Sequence, residues 1–429
     1  MEKRGRAKVR KDNGTSGLER ISRDLATFEL ATTARILDVI RGAASTSRSD
    51  IARTIGLSRS AVAPHVERLL EHGLIREEGA AESTGGRRAR AIAFNKDAGV
   101  IGSVDLGATS LDVALTNLAG EVLAHDGAEV DIADGPEMTL NHAREVLTAL
   151  LRQIDISPDQ MRAIGIGVPG PVELNSGRPI APPIMPGWDG FPVPEFLRAG
   201  FGCPVYVDND VNMMALGEQW AGLGQGCENF LFVKVGTGIG CGLVLNGRLY
   251  RGADGCAGDI GHIEVEGEPI VCRCGQVGCF EAIAAGPALV RMAKQSAAEG
   301  RSAVLTAHLA HSDLTARDVA GYAARGDRAC VEIIEQSGRR VGRFLARVVN
   351  VFNPSLIIVG GGVSGSGDSW LAAIRQEIYL RSLPLGTRNL TIQRSQLGDR
   401  AGIIGAAALA VQQTLLDVGL SQGQTSGRI

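Results

Sequence analysis

The chain has 429 residues, of which 44% are hydrophobic and 21% charged, and its formal net charge is −3. That length suits two or three packed units rather than one core, and no apolar run approaches the roughly 18 residues of a membrane span. Neither a membrane span nor a secretory leader is expected.

Charge is shared unevenly along the chain. Residues 1–95 hold 18 Lys and Arg against 12 Asp and Glu, while the remainder holds 26 against 35. A basic head on an acidic body points to a polyanionic partner for the head alone. Cys272, Cys274 and Cys279 cluster, whereas Cys203, Cys227, Cys241, Cys256 and Cys330 are scattered singly. Such usage fits reduced thiols and a cytoplasmic protein.

In chain order, residues 1–24 read as a disordered basic arm. Residues 25–95 follow as a mainly α unit. Phe28 to Ile40 has helical apolar spacing, and Ser47 with Asp50 can form a capping box for a short helix burying Ile51 and Ile55. Gly56 ends that helix, and a second begins near Ser58–Ser60 and buries Val62, Val66, Leu69 and Leu70. Pro64 places the start of this helix close to Ser60, or distorts it, because proline is costly deep in a helix. LIREEG and RARAIAF then read as two strands around a turn. Helix, helix–turn–helix and β-ribbon make a winged helix–turn–helix.

The second helix is expected to project Arg59, Ser60, His65 and Arg68 into a major groove of double-stranded DNA. Arg48, Arg87 and Arg88 add positive charge, the last two at the tip of the wing. The competing reading of this head is a small helical unit with protein partners.

After FNKDAG the composition changes, and residues 98–415 form the body, with 416–429 as a flexible tail. GVIGSVDLGATSLDVALTN reads as strand, turn and strand around Asp105, Gly107 and Thr109. A similar unit recurs at ENFLFVKVGTGIGCGLVLNG, with Gly236, Thr237 and Gly238 at its turn, and SLIIVGGGVS sets Gly361 and Gly362 after a third hydrophobic strand. Such turns let backbone N–H groups face phosphate oxygens, which makes these residues candidates for nucleotide binding, with Asp105 holding Mg2+ through water. The repeat implies a duplicated, two-lobed domain. GxxxxGK[ST] is lacking, which excludes a P-loop.

At this point the chain resembles the ROK family, specifically its regulators with an N-terminal winged helix. The anchors are DLGAT (105–109), GIGVPGPVE (165–173), VDNDVNMMALGE (207–218), VGTGIGCG (235–242), AGDIGHIEV (257–265), CRCGQVGCFEA (272–282) and IIVGGGVS (357–364). The resemblance implies a two-lobed α/β actin-like ATPase (ribonuclease H-like) fold with sugar in the cleft. Lobe one would take 98–209 plus a C-terminal helix at 398–415, and lobe two 210–397. A homodimer or homotetramer is implied as well. His262, Cys272, Cys274 and Cys279 match four positions where the family carries zinc, and one imidazole with three thiolates is a closed structural set. A DNA-binding zinc finger fits less well, since no second histidine follows at finger spacing.

Asn209, Asp210, Asp259, His262 and Glu281 match positions that hold the sugar, and Asp210 matches the general base of family kinases. Three departures stand out. Asp259 replaces a common Glu, Ile184 replaces a common Asn, and DLGATS replaces DxGGTK.

Two readings follow. The first is a sugar-responsive DNA-binding regulator, a repressor of carbohydrate uptake or catabolism genes, with a sugar or sugar phosphate as effector and structural Zn2+. The second is an ATP- and Mg2+-dependent, glucokinase-like sugar kinase with an accessory DNA-binding head. The head and the departures favour the first, and Asp210 with its glycine turns keeps the second open.

Overall fold

A computed structural model describes residues 32–33, 35–37, 39–43, 45–80 and 90–420, the side chains of 79–80 and 415–420 excepted. Two compact units emerge, one of residues up to Ala98 with those from Gln412 onward, the other Gly99–Val411.

In the first unit, residues 35–37 and 39–41 are helical, and the helices Arg48–Ile55 and Arg59–Glu71 follow. Ser47 caps the first by accepting from the Asp50 amide, and Gly56 closes it in the left-handed region at φ 74°, where a side chain would be strained. Ser58 caps the second. That helix begins at Arg59, one residue before Ser60, and still contains Pro64, whose ring nitrogen leaves the Ser60 carbonyl without its helical donor. Strands β1 (Ile75–Ala80) and β2 (Arg90–Phe94) pair antiparallel, and Thr46 bridges Ile92 on the other side. Ile36, Ile40, Ile51, Val62, Val66 and Ile92 are fully buried between helices and ribbon.

The second unit contains two five-stranded sheets built to one plan. Its strands are β3 (Val100–Leu106), β4 (Ser110–Asn117), β5 (Val122–Glu129), β6 (Met161–Val168), β7 (Val205–Asn209), β8 (Phe230–Val235), β9 (Ile239–Leu245), β10 (Arg248–Leu249), β11 (Leu356–Gly360) and β12 (Thr391–Arg394). The orders are β5-β4-β3-β6-β7 and β10-β9-β8-β11-β12. In each sheet the first strand pairs antiparallel with the second and parallel with the fourth. The duplication read from the two glycine hairpins is therefore present as topology. β3 and β11 are buried throughout, as expected where helices cover both faces, while the edge strand β5 exposes most of its residues.

One helix, Asp210–Ala221, joins the lobes. Val211 and Ala215 pack with Phe230, Phe232 and Val244 of the second sheet. On its other side Met213 and Leu216 pack with Ala406 and Leu409 of the C-terminal helix Arg400–Leu420. The crossing is close enough that a Cβ at Gly405 would overlap the Met213 carbonyl, and one at Gly165 of β6 would overlap the Ala406 carbonyl. Glycine is required at both places by contact distance alone.

Candidate functional site

The lobes meet where β7 ends. Asp208, Asn209 and Asp210 occupy the last strand residues and the first residue of the helix Asp210–Ala221. Asn209 caps that helix: its Oδ1 accepts from the Val211 and Asn212 amides, and its Nδ2 donates to the Gly170 carbonyl at 3.0 Å. Only one N–H of this side chain is left for a ligand. Asp210 is 4% exposed; its Oδ1 accepts from the Val211 amide at 2.9 Å and its Oδ2 pairs with the Lys234 ammonium. Asp208 pairs with Arg251 at 2.5 Å and also accepts from Asn212 Nδ2 at 2.8 Å.

Sequence reasoning did not single out Asp208, Lys234 or Arg251. A usable signal was present in FLFVKVG, where one lysine interrupts an apolar strand, because lysine is seldom buried unless paired.

The three glycine turns sit at the ends of β3, β8 and β11, as their positions after apolar runs require. In the second, the Gly236 amide donates to the Gly238 carbonyl at 2.9 Å, closing a tight turn. A Cβ at Gly236 would lie 3.8 Å from the Gly362 nitrogen, so the second and third turns face each other. Thr237 is half-buried and Thr109 exposed. Asp105 and Asp210 approach one another beside Gly167, where a Cβ would be 3.3 Å from both Asp105 Oδ1 and the Asp210 Cα. Asp105 is buried, and its Oδ1 has no hydrogen-bond partner. Burial pushes its carboxyl up to about 7; Lys234 opposes that rise and Asp210 adds to it. Burial also works against the charge of Lys234, yet Asp210 and Asp105 together hold its ammonium above the ordinary lysine value.

The histidine and three cysteines converge. A ring nitrogen of His262 and the sulfurs of Cys272, Cys274 and Cys279 all lie within 4.8 Å of one another. His262 Nδ1 is 3.7 Å from Cys272 Sγ, and Cys274 Sγ is 3.6 Å from Cys279 Sγ. Tetrahedral thiolates at a zinc–sulfur bond of about 2.3 Å would stand about 3.7 Å apart, so the donor set fits that ion. All eight cysteines are free of disulfides. The helix Phe280–Ala284 starts directly after Cys279, and its Glu281 Oε2 accepts from the Ile239 amide at 3.0 Å, beside Gly238. The cysteine loop is thus tied through Glu281 to the second glycine turn. Asp259 is exposed just before the short 3-10 turn Ile260–His262. Ile184 packs, partly buried, against the core of lobe one.

The chain matches the ROK family over residues 101–413 and a winged helix-turn-helix DNA-binding family over residues 30–76. It belongs to the ROK family. The xylose repressor of Caldicellulosiruptor bescii is 32% identical over 369 residues, 86% of this chain and 92% of that protein. A crystal structure of a ROK family transcriptional regulator, a homologue of the E. coli MLC protein, aligns with TM-score 0.80 and 26% identity, covering 93% of this chain and all of that one. A ROK family glucokinase from Streptomyces griseus, in complex with glucose and AMPPNP, aligns with TM-score 0.64 and 32% identity over 73% of this chain and all of its own. The body is the two-lobed, actin-like α/β domain of the ROK family.

N-terminal to the ROK body in the chain, the winged head corrects two sequence expectations. His65 is not on the outer face of its helix: it is 9% exposed, and its Nδ1 lies 2.7 Å from Thr33 Oγ1. The spacing explains this, since 62, 65, 66 and 69 share one helical face. Arg48 is not free either. It pairs with Glu67 at 2.6 Å and Glu77 at 2.9 Å, holding both helices and the ribbon together. Arg59 and Ser60 are exposed at the helix start, Ser60 sharing a 3.0 Å contact with Ser58, while Arg68 is half-buried with its Nη1 unpartnered. Arg87 and Arg88 lie outside the described residues. Among the described residues, no helix is long and apolar enough to cross a membrane.

Proposed function

We propose that this chain is a sugar-responsive DNA-binding transcriptional regulator, a repressor of carbohydrate uptake or catabolism genes working as a homodimer or homotetramer. The observation that carries this reading is the union of head and body in one chain, matched along 86% of its length by a protein named xylose repressor. Arg59, Ser60 and Arg68 offer donors to base edges and phosphates, with the arginines of the wing adding charge.

A sugar in the cleft would meet Asp210, Asp259, Glu281 and the remaining N–H of Asn209. His262 turns Nδ1 to the Cys272 sulfur, and Nε2 would then serve a hydroxyl. Convergent donors and acceptors of this kind are what polyol recognition needs, because each unmatched buried hydroxyl costs affinity. His262, Cys272, Cys274 and Cys279 would hold a structural Zn2+, whose contribution is to pin the loop that aims His262 and Glu281. Sugar shifts the regulator only by the difference in its affinity for the DNA-binding and free forms.

A second reading, an ATP-dependent sugar kinase, is favoured by the presence of Asp210 beside three glycine turns and by the likeness to the S. griseus glucokinase. One experiment separates the two. Operator fragments are selected from random DNA by the full-length protein, and binding is then measured with a panel of hexoses, pentoses, amino sugars and their phosphates. The expected result is one sugar class that changes DNA affinity, and an Arg59→Ala variant that loses about 1–3 kcal/mol of DNA binding with sugar binding intact. Failure to select any DNA, together with sugar-dependent ATP turnover abolished by Asp210→Asn, would establish the kinase reading instead.

A further inference from the structure

The cleft contains a charge that neither sugar recognition nor the glycine turns require. Lys234 is the fifth residue of β8, between fully buried Val233 and Val235. Its side chain is 19% exposed and its ammonium pairs with Asp210 Oδ2. The stem reaches that position along the floor of the phosphate turns: its Cε and the Gly362 nitrogen each lie 3.8 Å from where a Cβ on Gly236 would sit. On the lobe-one side, Asp105 Oδ1 and Asp210 flank the end of β6 at Gly167, and that Asp105 oxygen has no donor. Asp105 of lobe one and Asp210, on the helix that joins the lobes, therefore face the Lys234 ammonium of lobe two, at the place where phosphates would be cradled.

A nucleotide entering such a cleft brings a divalent cation, which offsets the carboxylates and the phosphate charge together. Here part of that positive charge is covalently present. A divalent cation approaching Asp210 would have to displace an ammonium already in contact with it, or settle beside a like charge. The residues present thus fit a metal-bound nucleotide poorly, although the glycine turns alone would accept one.

We propose that Lys234 is the resident cation of this cleft, holding Asp210 and facing Asp105 in place of a divalent metal, so that sugar binds without metal or nucleotide. The inference rests on the reading of the cleft as a sugar-binding regulator. It identifies Lys234 as a positioning residue: it orients the Asp210 carboxylate towards sugar and keeps the carboxylate pair from recruiting metal. A sugar hydroxyl that uses Asp210 Oδ2 must share that oxygen with Lys234.

The test uses the full-length protein with its cysteine site loaded with zinc, and the probe is Mn2+ alone, followed by electron paramagnetic resonance and by thermal unfolding. Wild type is expected to bind no Mn2+ in the cleft. Lys234→Met should bind it at least about tenfold more tightly and be stabilised by it, and Asp105→Asn in that background should abolish the gain. Lys234→Gln, which keeps a donor for Asp210, gives the same comparison should the methionine variant fail to fold. Calorimetry with the sugar found by screening supplies the second arm: wild-type affinity should change by less than about twofold on adding Mg2+ with AMPPNP.

The proposal is overturned if wild type binds Mn2+ as tightly as the variants, if neither variant responds to Mn2+, or if Mg2+ with AMPPNP tightens sugar binding about tenfold or more. If no sugar binds at all, the regulator reading fails on that arm, and the Mn2+ titrations still decide the role of Lys234.

Discussion

The two sheets of the body share a strand order and differ in what they carry to their common seam. Lobe one ends its strands in carboxylates, Asp105 on β3 and Asp208 on β7, with Asp210 opening the joining helix just after. Lobe two answers with cations, Lys234 in β8 and Arg251 just after β10, and adds a cysteine-rich loop that lobe one lacks. Duplicated topology delivers strand ends to one place, and chemistry then depends on which side chain stands at each end. Two buried ion pairs, on either side of Asn209, add contacts between unlike charges to the apolar packing of the helix that joins the lobes. Buried pairs of this kind stabilise little compared with an apolar substitute, but they are costly to break from one side.

The largest effect is expected from removing what only lobe two possesses. Cys274→Ser should abolish the zinc binding proposed for this loop, as read by zinc content per chain. Binding energy at structural zinc sites is on the order of 10 kcal/mol, so the loop from His262 to Cys279 should become protease-sensitive and the sugar response should vanish with it. A zinc-free variant that still answers to sugar would show the loop to be independent of the ion. A smaller loss should follow from breaking the outer seam pair. Arg251→Ala strands the Asp208 carboxylate, which is 6% exposed, and should cost roughly 3 kcal/mol of stability. The Asp208→Asn, Arg251→Ala double variant should recover part of that loss. An additive double-variant cycle in denaturant melts would mean that the two lobes do not communicate through this pair.

The comparison between lobes also explains what the sequence disclosed. The repeated strand–glycine–strand pattern is local, so DLGAT and GTGIG announced two equivalent hairpins, and His262, Cys272, Cys274 and Cys279 stood out as a candidate donor set whose atoms do converge. The partners of the seam are not local: Asp208 and Arg251 are 43 residues apart, and Asp210 and Lys234 are 24 apart on different elements. No periodicity reports which strand ends will meet. His65 was misplaced for a related reason. Its polarity suggested the outer face, whereas position 65 lies on the stripe shared by Val62, Val66 and Leu69, and Thr33 supplies the buried partner that makes this tolerable. Asn209 was expected to serve the sugar, and the helix it caps claims both lone pairs of its oxygen first.

The smallest effect concerns the one carboxylate that the seam does not fully answer. Asp105 is surrounded by Lys234, Asp210, Asp112 and Asp399, and burial raises its carboxyl from 3.8 to about 7. Below about pH 7 the folded protein therefore holds a proton on Asp105 that the unfolded chain gives up near pH 3.8. Between those two values the native state binds more protons than the unfolded state, so this group's contribution to stability falls as pH rises and levels off above about 7. Asp105→Asn removes that dependence. The variant should gain stability on wild type as pH rises from about 4 toward 7 and keep that gain above it. Thermal melts of both proteins across this range give the answer. A constant difference would mean that Asp105 stays ionised throughout and that Lys234 balances it as fully as it balances Asp210; the two carboxylates would then be equivalent, and the unpartnered Asp105 oxygen would have no electrostatic consequence.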